Sequence, residues 1–211
     1  MIKIGITLDD VIRAKTEKFF EIYKKYVNEE FDYESLPLTT NDLYELVKFS
    51  GRKEYNKFLY EDYTFEIFGE ADMVDPLLDK KLNLWHISLN DNENIDEEIE
   101  LMLTNPMEYN TSIGYSYFFL SRMATRIREV YFPLDSDTTW EKCDILITAD
   151  PKLLKSVPDN KIAIKITKEY NEGIDGDNII SFNSLSEFIN DDKNLEDVVN
   201  ILLNKRNNLF Y

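Results

Sequence analysis

The stretch that most constrains the fold is a short apolar run, residues 2–8, which ends in two adjacent carboxylates, Asp9 and Asp10. Isoleucine and leucine occupy every second position of this run, and residues of this type favour strands. Gly5, in its middle, leaves room for close approach of a neighbouring backbone. Ligands of open α/β sheets bind at the carboxyl ends of the strands. The run therefore predicts a strand whose acidic end marks a candidate site.

Strand-like and helix-like segments alternate along much of the remaining sequence. Apolar residues recur at helical spacing over residues 11–27, and Asp9 or Asp10 is placed to cap that helix. Further strands are predicted at 99–104, 129–134, 143–149, 161–166 and 179–182, and further helices at 111–127, after 151, after 184 and at 195–204. This alternation predicts an α/β fold with a doubly wound parallel sheet and right-handed crossovers.

One region departs from the alternation. Residues 28–79 show helical patterns, many Tyr and Phe residues, and no strand signal. We expect residues 14–79, hereafter the insert, to form a helical unit placed after the first strand. Residues 1–13 and 80–211 would then form the α/β core. The insert could be a plain helical subdomain with an aromatic core or a lid over a substrate.

A second candidate edge follows the apolar run 143–149, which ends in Asp150 and Pro151. Asp150 has two interpretations. It could belong to a site at the end of this strand, or it could be an N-cap, with Pro151 at the first helical position.

The segment of residues 8–12 resembles the first motif of the haloacid dehalogenase-like (HAD) hydrolases, in particular the 5'(3')-deoxyribonucleotidase branch. In that motif an apolar strand ends in Asp-x-Asp. When the sequences are laid together, the nucleophilic Asp of the family falls on Thr7. The second Asp, the general acid of the family, falls on Asp9. The HAD nucleotidases also place a small cap after this first strand-helix step, so the resemblance implies that the insert, residues 14–79, is a small helical cap.

The resemblance extends to three further motifs. The hydroxyl residue that holds the phosphoryl group falls on Thr104, and the lysine of the third motif falls on Lys142. The fourth motif resembles residues 144–151, and its acidic pair, which holds Mg²⁺ in the family, falls on Thr148 and Ala149.

The resemblance implies a chemistry that these residues do not supply. Family members attack phosphorus with an Asp carboxylate, use a second Asp as acid and base, and bind Mg²⁺ through carboxylates. Thr7 is a poor nucleophile without a neighbouring base, and Thr148 and Ala149 carry no charge. We therefore expect degenerate motifs and no catalytic residue, metal or cofactor. The vestigial site would comprise Thr7, Asp9, Thr104, Lys142, Thr148 and Asp150.

Three hypotheses for function stay open. The first is a HAD-like pseudoenzyme that acts as a structural or interaction module. The second is a Mg²⁺-dependent phosphatase or 5'-nucleotidase for nucleotide monophosphates that uses Asp9, Asp10 and Asp150 in an altered arrangement; these carboxylates are also the candidates for holding a cation weakly. The third is an unrelated α/β interaction protein. Residual ligand binding is a separate hypothesis, in which the three carboxylates hold the cation and Thr104 and Lys142 contact an anion.

Charge and composition narrow the choice of partners. The formal net charge of −17 repels nucleic acid backbones and anionic lipids, so we expect protein partners and neither direct nucleic acid binding nor membrane binding. No apolar run approaches the roughly 18 residues of a membrane span. His86 is the single histidine and has no Cys cluster beside it, which argues against zinc.

The expected cellular location follows from the cysteine content, the first residues and the amino-acid composition. Cys143 is the single cysteine, so no internal disulfide can form, as is usual in a reducing compartment. The first residues have neither a basic segment nor a long apolar segment, and we expect no signal peptide. Abundant Asn, Lys, Ile and Tyr suggest an AT-rich genome, such as that of a phage or of a low-GC bacterium. We expect a cytoplasmic protein, or a virion component of a large assembly if the gene is of phage origin.

Overall fold

The computed structural model describes residues 1–91, 94–107 and 109–208. Six strands form one sheet: β1 (Ile2–Thr7), β2 (Ile99–Thr104), β3 (Glu129–Tyr131), β4 (Ile145–Thr148), β5 (Ile162–Ile166) and β6 (Ile179–Phe182). Eight α-helices accompany them in the described part of the chain: α1 (Lys15–Tyr26), α2 (Arg52–Lys57), α3 (Leu78–Asp91), α4 (Asn110–Arg122), α5 (Ser136–Lys142), α6 (Pro151–Lys155), α7 (Leu185–Ile189) and α8 (Asp192–Asn208). No helix in these ranges is long and apolar enough to cross a bilayer.

The strands are all parallel and lie in the order β3-β2-β1-β4-β5-β6. The order reverses beside β1, so β2 and β4 flank β1 and their carboxyl ends lie side by side. Thr7 pairs with Thr104 in the β1–β2 register. The predicted α/β doubly wound parallel sheet is confirmed, and its switch point lies at the acidic end of β1.

Alternating side chains divide the sheet between two packed layers. Ile4 and Ile6 of β1 belong to a large cluster that α3, α4, α7 and α8 complete. The opposite face packs on α5 and α6, where Trp140 is buried and donates its indole N–H to the carbonyl of Leu153 at 3.1 Å. Because strands with helices on both faces are buried on both sides, they read as nearly continuous apolar runs.

The insert has its own aromatic cluster. Phe19 of α1 has its ring centroid 5.8 Å from those of Tyr55 and Phe58, and Tyr23 packs edge-to-face on Phe31 at 5.0 Å. Two π-helical turns, Phe58–Asp62 and Phe65–Gly69, follow α2. By contrast, α3 begins at Leu78 and packs into the cluster under the sheet. The division of the chain at residues 13 and 79 stays a prediction.

The first helix begins at Lys15, four residues later than the predicted start at Val11. The intervening residues form a tight turn, in which the amides of Ile12 and Arg13 both donate to the carbonyl of Leu8, at 2.9 and 2.8 Å. Val11 and Ile12 are fully buried in the sheet cluster. Their apolar spacing, which looked helical, reflects this burial under the sheet.

Gly5 gives a test of how closely the strands and their covering layer pack. A Cβ at this position would lie 2.5 Å from Cys143 Sγ and 2.9 Å from Leu146 Cδ1. We expect Gly5→Ala to lower the free energy of unfolding by about 1–3 kcal/mol, because an added methyl overpacks this layer. Urea unfolding followed by circular dichroism measures the change.

Gly114, in α4, is the matched control for that substitution. A Cβ there would meet no atom within 4 Å, so Gly114→Ala should raise the free energy of unfolding by up to about 1 kcal/mol through helix propensity. Equal effects of the two substitutions would contradict the close packing inferred at Gly5.

Candidate functional site

Three buried threonines end the three central strands. Thr7 closes β1, Thr104 closes β2 and Thr148 closes β4. The Thr7 hydroxyl lies 3.3 Å from the Thr148 hydroxyl and equally far from the carbonyl oxygen of Ile147. The Thr104 hydroxyl is buried and has no hydrogen-bond partner among the described residues. The structure thus brings three of the predicted residues together as a neutral row.

Asp9 lies just beyond this row and is saturated with hydrogen-bond donors. Its Oδ1 accepts from Arg13 Nε at 3.0 Å and from Nη2 at 2.5 Å, and its Oδ2 accepts from Asn105 Nδ2 at 3.1 Å. Lys15 Nζ lies 3.4 Å from Oδ2. Burial alone would raise the pKa of Asp9, but the charges of Arg13 and Lys15 lower it below its ordinary value.

Arg13 is completely buried, and its guanidinium joins three parts of the chain. Besides Asp9, its Nη1 donates to the carbonyl oxygen of Phe68 at 2.7 Å and to Ser116 Oγ at 2.8 Å. The rings of Phe68 and Phe119 lie 5.1 and 5.5 Å from the guanidinium carbon. The end of β1, the insert and α4 are therefore held by one side chain.

Asp10 faces a different set of partners. Its φ of 60° lies in the left-handed region, which Asp tolerates better than most residues. Its carboxylate accepts from the amide of Thr16 at 3.0 Å, from the hydroxyl of Thr16 at 2.6 Å and from the hydroxyl of Tyr170 at 3.2 Å. Burial and the charge of Asp10 both raise the pKa of Tyr170. Asp10 thus accepts a hydrogen bond from a backbone amide in the first turn of α1, although Ala14 is the N-cap residue.

Asp150 adopts the capping geometry that its sequence context allowed. Its side chain accepts from the amide of Lys152 at 2.8 Å, and its own amide donates to Thr148 Oγ1 at 3.1 Å. Burial raises the pKa of Asp150. Lys142, by contrast, is exposed at the end of α5, and its ammonium lies 5.7 Å from the ring centroid of Tyr131.

A cavity of about 260 Å³ opens at this edge, hereafter the site cavity. Asp9 and Asp150 line it, whereas Thr7, Thr104, Thr148, Asp10 and Lys142 do not. The insert supplies an aromatic wall of Tyr60 and Phe68, and Tyr60 stacks on Tyr109 with ring centroids 3.8 Å apart. Lining residues that the sequence analysis did not single out include Lys15, Asn105, Ser112, Asp135 and Lys152.

Two partners of Asp9 that the sequence analysis did not single out, Arg13 and Asn105, lie near it or near Thr104 in the sequence. Arg13 follows Asp9 by four positions, a spacing that places side chains together in a helical turn, and Asn105 directly follows Thr104. Nothing in the sequence marked Arg13 as buried, because Ser116 and Phe68, which complete its surroundings, are 103 and 55 positions away.

The donor set does not fit the Mg²⁺ ion that the resemblance to HAD hydrolases implies. Within the described ranges, no group of three or more His, Cys, Asp or Glu side chains is placed to hold a metal ion. Asp9 faces a guanidinium and an ammonium, and Thr7, Thr148 and Ala149 offer no carboxylate. Hard divalent cations prefer several oxygen ligands, with carboxylates foremost. The cationic groups near Asp9 instead belong to the chain itself.

Comparison with solved structures places this fold. It is similar to that of a protein from Burkholderia xenovorans LB400 that carries a provisional description as a haloacid dehalogenase-like hydrolase, with a TM-score of 0.50. The two share 10% sequence identity over 92% of this chain and 98% of that one. No protein-family model matches the chain. No curated protein matches it either. The similarity concerns the fold, and the HAD-like α/β architecture is confirmed at that level.

The contribution of the buried Asp9–Arg13 ion pair to stability can be compared with that of an exposed ion pair of the same type. Arg13→Met should lower the free energy of unfolding by about 3–5 kcal/mol, because it leaves a largely buried carboxylate short of its main partner. Urea unfolding at pH 7 measures it. Arg52→Met is the matched control: Arg52 forms two 2.7 Å bonds to Asp42 but is 51% exposed. We expect a much smaller cost there, because solvent screens an exposed pair, and equal costs would contradict the role given to burial.

Asp9 and Asp150 should affect the pH dependence of stability in opposite directions. The lowered pKa of Asp9 gives stability that is present above the unfolded value near 3.8 and is lost as pH falls through the folded pKa. The raised pKa of Asp150 costs stability above its folded pKa, and this cost vanishes as pH falls toward 3.8.

Replacing each aspartate with asparagine tests these two contributions to the free energy of unfolding. Asp9→Asn should be destabilised at pH 7, with the deficit shrinking below pH 3.8. Asp150→Asn keeps an N-capping side chain and should equal or exceed the wild type at pH 7, with any gain shrinking as pH falls. Urea unfolding from pH 7 to pH 3 compares them, and parallel curves for both variants would refute the assignment.

Proposed function

We propose that this chain is a HAD-like pseudoenzyme: it keeps the phosphatase scaffold, does not hydrolyse phosphate esters, and acts as a structural or interaction module. The observation that carries the proposal is that the carboxylate of Asp9 already interacts with other side chains of the chain. The carboxylate at the position of the family's general acid is already engaged by Arg13, Lys15 and Asn105.

The position of the attacking carboxylate supports the same conclusion. Thr7 is buried, and the nearest polar groups to its hydroxyl are the Thr148 hydroxyl and a backbone carbonyl. Neither is a base strong enough to activate an alcohol, which needs a neighbouring His, Lys or amine. The degenerate first and fourth motifs thus have neutral groups where the family has its nucleophile and its metal ligands.

The interaction role rests on charge and on exposed surface. With a net charge of −17, the chain favours basic protein partners over nucleic acids and anionic membranes. Aromatic side chains on α4 are exposed, among them Tyr117 at 51%. We propose that the chain works through protein partners within a large assembly, without a cofactor, in the cytoplasm or, for a phage gene, in the virion.

A second candidate is a Mg²⁺-dependent phosphatase or nucleotidase of the deoxyribonucleotidase branch. The site cavity favours it, because Lys15, Asn105 and Lys152 surround a space at the edge where family substrates bind. Its carboxylates would be Asp9, Asp10 and Asp150, yet Asp10 faces Thr16 and Tyr170 and does not line the cavity. An enzyme built this way would need Arg13 and Lys15 to release Asp9.

Phosphate release separates the two candidates. We expect the purified chain to release no phosphate above background from nucleoside monophosphates or p-nitrophenyl phosphate with millimolar Mg²⁺. Asp9→Asn, purified in the same way, serves as the control for contaminating phosphatases and should give the same trace. Turnover that Asp9→Asn abolishes, and that a chelator also removes, would overturn the pseudoenzyme proposal.

A further inference from the structure

A second cavity, of about 430 Å³, lies beside the first turn of α1, and we call it the α1 cleft. The turn after β1 separates it from the site cavity: Asp9 and Lys15 line the site cavity, whereas Asp10 and Thr16 line the α1 cleft. Its outer walls come from the insert, at residues 33–38, and from the loop after β5, at residues 168–170. The amide of Leu38 donates to Glu169 Oε2 at 2.7 Å and joins the two walls.

The walls of the α1 cleft are mainly apolar. Phe20 and Tyr33 stack with ring centroids 5.8 Å apart, and Leu36 and Leu38 continue the same wall. Val74 lies in the lining and is 40% exposed. Tyr33, Leu36 and Leu38 are half-buried, so part of each side chain faces the cleft. A volume in the range of ligand pockets, with half-buried apolar walls, is suited to one or two side chains of another molecule.

The rim of the α1 cleft is acidic. Asp10, Glu17, Glu34 and Glu169 line it, and among the described lining residues Lys168 supplies the one ammonium group. Asp10 and Glu169 already accept hydrogen bonds from the chain, whereas Glu17 and Glu34 are exposed and form no ion pair within the described ranges. The rim therefore offers two carboxylates to a partner.

Two local effects show that this environment favours a cation. Burial raises the pKa of Tyr33, and the negative charges of Glu21, Glu34 and Glu17 raise it further. The ring of Tyr33 also takes a cation from the chain, because Lys24 Nζ lies 5.8 Å from its centroid.

We propose that the α1 cleft binds a short segment of a partner protein that presents lysine or arginine next to an apolar residue. The apolar side chain would pack on Tyr33, Leu36 and Leu38, and the basic group would meet Glu17 and Glu34. The sign of the rim disfavours phosphate-bearing nucleic acids and lipids, and the apolar walls disfavour a small hydrophilic cation. This inference rests on the proposed interaction role and names the chemistry of the partner.

Fluorescence anisotropy with a labelled peptide of alternating lysine and leucine tests the proposal. We expect the wild type to bind this peptide and Glu17→Gln/Glu34→Gln to bind it about fivefold or more weakly. Both substitutions are exposed and nearly isosteric, and thermal unfolding checks that the fold is retained. Glu61→Gln/Glu141→Gln removes the same charge at exposed positions outside the α1 cleft and should weaken binding less than about twofold.

Equal weakening in the two double variants would show that the peptide senses only the overall negative field, and it would overturn the proposal. A peptide of alternating lysine and serine should bind more weakly than the lysine–leucine peptide; equal affinity would also overturn it. These readouts do not depend on catalysis. Hydrolysis of phosphate esters would contradict the pseudoenzyme proposal and leave the binding proposal for the α1 cleft intact. Unselective peptide binding would contradict the binding proposal and leave the pseudoenzyme proposal intact.

Discussion

The buried ion pair between Arg13 and Asp9 is the interaction on which the arrangement at the end of β1 depends. A guanidinium removed from water needs a full set of acceptors, and this one finds them in Asp9, in the backbone of the insert at Phe68 and in Ser116 of α4. The orientation of the insert relative to the sheet edge is therefore fixed by an electrostatic requirement as well as by apolar packing.

The same pair decides what the sheet edge can do. In a phosphatase of this fold, carboxylates at the strand ends hold a metal ion that in turn binds the phosphoryl group. Here the strand ends carry Thr7, Thr104 and Thr148. The nearby carboxylate of Asp9 is compensated by Arg13 and Lys15 of the same chain. The edge keeps its position and a cavity, but its charges balance internally.

The sheet was predictable because strands buried on both faces leave short apolar runs rich in β-branched residues, and helical patterns separate these runs along the chain. The start of α1 was not, because Val11 and Ile12 are buried under the sheet and so imitate a helical stripe. Asp9 could be located from its strand, but its partners could not: Arg13 owes its burial to residues of the insert and of α4 that are distant in sequence. The α1 cleft was hidden for the same reason, since its walls join residues 33–38 to residues 168–170.

Anomalous diffraction from crystals grown with Mn²⁺ would show whether the ends of β1 and β4 bind a divalent cation. Mn²⁺ replaces Mg²⁺ at oxygen sites, and its anomalous signal locates it. We predict that the Arg13 guanidinium lies on Asp9 and that no anomalous peak appears at the ends of β1 and β4. A peak within coordination distance of Asp9 and a second carboxylate, about 2.0–2.2 Å from their oxygens, with Arg13 displaced, would contradict it.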